Sequence, residues 1–231
     1  MSEPGSDPVA ATASAAVRTL RVERADAAGH LAAVEVLRAG GLVGLPTDTV
    51  YGIACALDAP DGVERLFAAK ARPADRAIMV LADGLDQLAA TVVLTPAARA
   101  LERLWPGGLT LVLPLLPGAA LPAALTFGAS TLGVRVPDHP TPRALARLVG
   151  PIPTTSANRS GEPEARDAAS VVAALGASLD LVLDGGTSVG GVPSTVVDCS
   201  VERPRILRQG AVPADVIADR LDGAGIAHDP W

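Results

Sequence analysis

Residues 41–73, GLVGLPTDTVYGIACALDAPDGVERLFAAKARP, decide how this chain is read. Leu42-Val43-Gly44-Leu45 is a short apolar run that stops at Pro46, and such a run predicts a buried strand over 41–45. A polar loop follows, Thr47-Asp48-Thr49, then Tyr51-Gly52. Asp61 is placed to cap a helix from 62 to about 70, because Val63, Leu66 and Phe67 recur at helical spacing. Lys70 falls on the same side as these apolar residues, at the helix end, and Pro73 limits continuation. A cation beside a buried face needs a purpose. Of the 19 basic residues 18 are arginine, so Lys70 is the only lysine, standing where a compact ammonium serves and a planar fork does not.

Working outward, helices are predicted over 26–39, 84–90, 95–104, 141–149, 165–175 and 213–221. Further strands are predicted over 78–81, 109–113, 131–136, 152–155, 179–183, 195–198 and 205–207. Strands and helices mix without strict alternation, which favours a mixed α/β (α+β) sheet over a doubly wound parallel one. Several polar groups follow strands: Thr49, Ser156 and Asn158 (the only asparagine), and Ser194. Arg135 lies in an apolar strand and Arg208 ends another. A buried guanidinium requires an anion, either a protein carboxylate or a ligand. The glycines at 185–186 and 190–191 make either ordinary turns or an anion-binding nest of backbone N–H groups. One lysine, several arginines and hydroxyl and amide donors together suit a polyanionic ligand such as a nucleoside triphosphate, beside a pocket for a small carboxylate.

Composition narrows the classes. The chain has 231 residues, 49% hydrophobic but only 2% aromatic, so its core is built from Ala, Val and Leu. A net charge of −6 argues against a general nucleic-acid binder. Cys55 and Cys199 are isolated, which predicts neither a disulfide framework nor a zinc site and favours a reducing, cytoplasmic setting. His30, His139 and His228 have no ligand spacing, so no metal site is predicted. Residues 104–134 carry no charge, but their prolines and glycines break them below membrane-spanning length. The first 18 residues lack the pattern of a signal peptide and are expected to be a disordered tail. No GxxxxGK[ST], GxGxxG or GxSxG motif is present.

PTDTVYG, KARP, LWPGGLTLVLP, TLGVRVPDHP, TTSANRSGEP, GGVPSTVVD and ILRQG occur in this order. In this the chain resembles the YrdC/Sua5 family, over about residues 31–212 and in its short bacterial form. Members are L-threonylcarbamoyladenylate synthases. They combine L-threonine, bicarbonate and ATP into threonylcarbamoyl-AMP and pyrophosphate, the first step of N6-threonylcarbamoyladenosine (t6A) formation at tRNA position 37. The resemblance implies one domain over 19–225, with tails at 1–18 and 226–231. Its fold would be a twisted, open sheet flanked by helices around a concave cavity. Lys70 and Arg72 match the KxR pair facing the phosphates and the reacting centre. Thr49, Arg135, Ser156 and Ser194 correspond to threonine contacts. Thr131, Asn158, Arg166 and Arg208 correspond to ATP contacts.

ATP would enter with magnesium as substrate, with no tightly bound cofactor. The partners implied are the machinery that transfers the product to tRNA; direct tRNA binding is expected to be weak or absent, and membrane contact absent. The chain departs from the family at Arg76-Ala77-Ile78, at Leu81 where longer members carry histidine, and at Gln209 where proline is common. Two alternatives are a carbamoyl-adenylate-forming carbamoyltransferase, whose relatives carry extra domains, and a non-catalytic RNA-binding module, against which the acidic balance speaks.

Overall fold

A computed structural model describes residues 19–70 and 78–230, and the structural statements below concern these. The elements in order are β1 (Arg21–Arg24), α1 (Ala27–Arg38), β2 (Val43–Leu45), β3 (Gly52–Ala54), α2 (Gly62–Ala69), β4 (Met79–Leu81), α3 (Pro96–Leu101), β5 (Leu109–Pro114), α4 (Ala123–Thr126) and β6 (Thr131–Arg135). Then come α5 (Pro140–Val149), β7 (Ile152–Ser156), α6 (Ala168–Leu175), β8 (Leu181–Asp184), β9 (Thr195–Asp198), β10 (Arg205–Arg208) and α7 (Ala214–Gly223). All ten strands form one open mixed sheet in the order β1-β8-β2-β3-β7-β4-β6-β5-β9-β10.

Local chemistry explains most boundaries. Asp26 caps α1 by accepting from the backbone N–H of Ala28 and Gly29. Ala33, Val34 and Leu37 form its buried stripe. Thr95 caps α3, accepting from Ala98 N–H, and donates its own proton to the Cys199 carbonyl. In the strands the period of two sends neighbours to opposite faces. Leu181 and Leu183 pack with Val43, Leu45 and Leu37 on one side of the sheet. Val182 joins Leu42, Ile53 and Val171 on the other. Both faces are therefore covered, which is why these strands read as nearly continuous apolar runs.

Three elements escape the sequence reading: β1, β3 and α4. β3 contains Gly52, which looks like a breaker, yet a Cβ there would come within 2.9 Å of Thr154 Cγ2, so close strand packing selects the glycine. The segment expected as a helix over 84–90 is a 3₁₀ turn at Leu85–Leu88. Asp61 does precede α2 but does not cap it: its backbone is left-handed (φ 55°) and its side chain makes no capping bond. Residues 226–230, expected as a tail, lie against the body, with Ile226 packed on the core and Arg203 bonded to Asp229. No helix among the described residues is long and apolar enough to cross a membrane.

Register sets the site. Gly52 pairs with Ser156, Leu81 with Arg135, Leu109 with Thr195 and Val196 with Arg208. The polar residues at strand ends are thereby brought to one region of the sheet. Gly29 supplies a test of packing against propensity. Alanine normally stabilises a helix interior by roughly 0.5–1 kcal/mol over glycine. Here its Cβ would fall 1.8 Å from the Arg24 carbonyl oxygen. Gly29→Ala is therefore expected to lower stability by about 1–3 kcal/mol in urea unfolding, the opposite sign.

Candidate active site

The loop between β2 and β3 is tied down from inside and outside. Thr47 Oγ1 donates to the Val50 carbonyl at 2.7 Å and accepts from Thr49 N–H at 3.2 Å. Ser188 Oγ donates to the Thr47 carbonyl at 3.0 Å, and Gly191 N–H donates to the Thr49 carbonyl at 2.7 Å. A Cβ on Gly190 would lie 2.4 Å from the Asp48 carbonyl oxygen, so only glycine admits this approach. The glycine-rich segment is thus a clamp on the Thr47–Val50 loop. Its N–H groups at 185, 186, 188 and 191 are bonded within the protein, which commits those four to the fold and not to an anion.

Arg135, at the end of β6, is 3% exposed. Its guanidinium donates to Asp48 Oδ1 at 2.6 Å, to Thr49 Oγ1 at 2.8 Å and to the Gly107 carbonyl at 2.9 Å. The anion that a buried arginine requires is therefore a protein carboxylate. Burial weakens the hold of Arg135 on its proton, and Asp48 opposes that loss.

Lys70 ends α2 and is equally buried. Its ammonium donates to the Ser156 carbonyl at 2.6 Å, Ser156 Oγ at 3.0 Å and Asn158 Oδ1 at 3.1 Å. Ser156 Oγ in turn donates to Asn158 Oδ1 at 2.6 Å. Asn158 is oriented by its own amide protons, given to the carbonyls of Arg159 and Glu162. Three tetrahedral N–H bonds in so small a space explain the lone lysine better than a planar guanidinium could.

Ser194 lies just before β9. Arg208 donates to its carbonyl at 2.7 Å and its hydroxyl at 3.2 Å. Burial lowers the pKa of Arg208, with Glu164 opposing.

These groups share one cavity of about 340 Å³. Thr49, Lys70, Arg135, Ser156, Asn158, Ser194 and Arg208 all line it. Thr131 and Arg166 are not among its lining residues. Thr131 opens β6, on the same face as Arg135, and Arg166 reaches the Ser188 carbonyl on the glycine clamp. Arg72 and Arg76 lie outside the described residues. Leu81 lines the cavity, as do Tyr51, Met79, Thr154, Glu162 and Glu164, which the sequence reading did not assign. Tyr51 had a signal as the only tyrosine: its hydroxyl bridges to the Gly186 carbonyl and accepts from Gly185 N–H. With three cations against two lining carboxylates, the space favours an anionic ligand.

The sequence model of the Sua5/YciO/YrdC family, described as Telomere recombination, matches residues 35–210. The chain is 38% identical over 188 residues to the threonylcarbamoyl-AMP synthase of Bacillus subtilis (strain 168), covering 80% of this chain and 54% of that one. It thus spans about half the length of that relative. A putative threonylcarbamoyl-AMP synthase of Mycobacterium tuberculosis (strain CDC 1551 / Oshkosh) is 38% identical over 195 residues, covering 84% of this chain and 89% of its own. Among solved structures, Pyrococcus abyssi Sua5 complexed with L-threonine superposes with a TM-score of 0.81 at 34% identity, over 90% of this chain and 61% of that one. Escherichia coli YciO gives 0.74 at 26% identity, over 83% of this chain and 95% of its own.

Two measurements test this arrangement. Asp48→Asn leaves the Arg135 charge buried without its counter-ion and is expected to cost about 3 kcal/mol in urea unfolding. The second concerns His139, whose Nδ1 accepts from Thr141 N–H and so must be unprotonated there. Burial lowers its pKa from 6.5, against the pull of Asp48. A histidine with a depressed folded pKa contributes stability that is present above 6.5 and is lost as pH falls below it. The unfolding midpoint should fall between pH 7.5 and 5.5, as probe conditions, and fall less in His139→Gln.

Proposed function

The chain belongs to the Sua5/YciO/YrdC family, and from that premise we propose that it is a threonylcarbamoyl-AMP synthase. Its substrates are L-threonine, bicarbonate or CO2, and ATP, and its products are threonylcarbamoyl-AMP and pyrophosphate. The catalytic unit spans residues 19–225. The product feeds t6A formation on tRNA through separate transfer machinery, in the cytoplasm. The observation that carries this reading is the cavity, where the buried Lys70 and Arg135 and the more exposed Arg208 converge with hydroxyl and amide side chains, Thr49, Ser156, Asn158 and Ser194 among them. The L-threonine complex of the Pyrococcus relative supports it, since that protein shares this fold and binds this amino acid.

The chemistry has two steps. The threonine amine, as a free base, attacks the carbon of CO2 and loses a proton, forming an N-carboxylate. A carbamate oxygen then attacks the α-phosphorus of ATP, the bond from that phosphorus to the α,β-bridging oxygen breaks, and pyrophosphate leaves. Both steps bring anions together, so the protein's task is to position them and offset their repulsion. Lys70 and Arg72 meet the triphosphate, Arg208 and Asn158 hold the nucleotide side, and Thr131 and Arg166 extend that side. Thr49, Arg135, Ser156 and Ser194 hold the amino acid. Three of the Arg135 donor positions are already bonded within the protein, and a guanidinium has five N–H groups, so two remain for a carboxylate. Magnesium arrives with ATP, bound through phosphate oxygens and water.

Pyrophosphate release should require ATP, L-threonine and bicarbonate together, read by omitting each in turn. Lys70→Ala should lower the rate about 10²–10³-fold. Lys70→Arg should not restore it, because a planar fork cannot meet acceptors arranged for an ammonium. Release that continues without threonine, or that takes carbamoyl phosphate instead, would overturn this reading.

A further inference from the structure

Thr110, on β5, is 3% exposed and is not among the residues lining the cavity. Its hydroxyl oxygen lies 2.8 Å from Ser194 Oγ, which does line the cavity and is itself 2% exposed. Its other neighbour is Met79 Sδ at 3.7 Å, a weak acceptor.

Proton counting gives this pair a direction. Arg208 can only donate, so it occupies one lone pair of Ser194 Oγ, at 3.2 Å. Two arrangements remain. In the first, Ser194 gives its proton to Thr110, Thr110 gives its own to the Met79 thioether, and Ser194 turns a lone pair toward the cavity. In the second, Thr110 donates to Ser194. Both lone pairs of Ser194 are then filled, and its proton is left for the cavity. Both arrangements keep the 2.8 Å bond between hydroxyls; the second gives up only the weak bond to sulfur, and in exchange it presents a donor where an anionic ligand brings acceptor oxygens.

We infer that Thr110 is a positioning residue for the amino-acid substrate: by donating to Ser194 it aims the Ser194 hydroxyl proton at a carboxylate or carbamate oxygen. The inference rests on the synthase reading above and adds to it a buried side chain that never touches the substrate.

Threonine-dependent pyrophosphate release tests it in the full chain. Thr110→Val keeps the shape of the side chain and removes the hydroxyl. It should raise KM for L-threonine about five- to tenfold, the worth of one hydrogen bond. KM for ATP and kcat should stay within about twofold. Thr110→Ser restores the hydroxyl and should return KM for threonine to near the wild-type value. In a Ser194→Ala background, Thr110→Val should add nothing, because the group it orients is gone. Thermal midpoints of all variants separate a folding defect from an orientation defect.

The inference falls if Thr110→Val leaves KM for threonine unchanged in an active enzyme. It falls equally if Thr110→Ser is as impaired as Thr110→Val, or if the loss persists undiminished in the Ser194→Ala background. A wild-type chain whose pyrophosphate release does not depend on threonine fails at the earlier step, and takes the synthase reading and this inference down together.

Discussion

A guanidinium held almost out of water must be answered by a carboxylate, and the Arg135–Asp48 pair is the constraint around which the cavity is built. Removing one such charge from water costs several kcal/mol, and the 2.6 Å contact together with the bonds to Thr49 and Gly107 offsets that cost. The pair joins the end of β6 to the loop after β2, two parts of the chain that are not neighbours in the sheet. The loop carries Thr49 and meets the glycine clamp, so its conformation propagates to Gly190, Gly191 and Ser188. One ion pair thereby orders the part of the cavity lining that carries Thr49.

The second buried cation follows the same rule by different means. Lys70 is met by a carbonyl, a hydroxyl and an amide oxygen from the Ser156–Asn158 turn. Because Asn158 gives both its amide protons to backbone carbonyls, its oxygen is committed to face the ammonium. Charges fixed in this way before a ligand arrives need little reorganisation when it does, which is the condition for electrostatic stabilisation of crowded anions.

Much of the fold was legible. Apolar runs ended by proline marked β2, β5 and β6, since strands covered on both faces leave no polar alternation to confuse them. The Thr95-Pro96 pair marked the start of α3 through its capping chemistry. β3 was hidden because its glycine answers to a neighbour, Thr154, and not to local propensity. Asp61 carried a cap signal that a left-handed backbone annuls. Of the cavity, the rare residues were visible: Lys70, Asn158 and Tyr51 stand out in a chain otherwise lacking their kind. Thr110 was not visible, because a threonine in an apolar strand looks like any β-branched residue until its hydroxyl partner is known.

By itself the sequence determined which chemical groups stand at strand and helix ends, and that a buried arginine and a lone lysine would each need acceptors. It left the identity of those acceptors open. Asp48 and Arg135 are separated by 87 positions, Lys70 and Asn158 by 88, and Thr110 and Ser194 by 84. No local rule spans such distances. Strand order and register brought these partners together, because the energy of a buried charge or hydroxyl depends on the groups within about 3 Å of it and not on its neighbours in the chain.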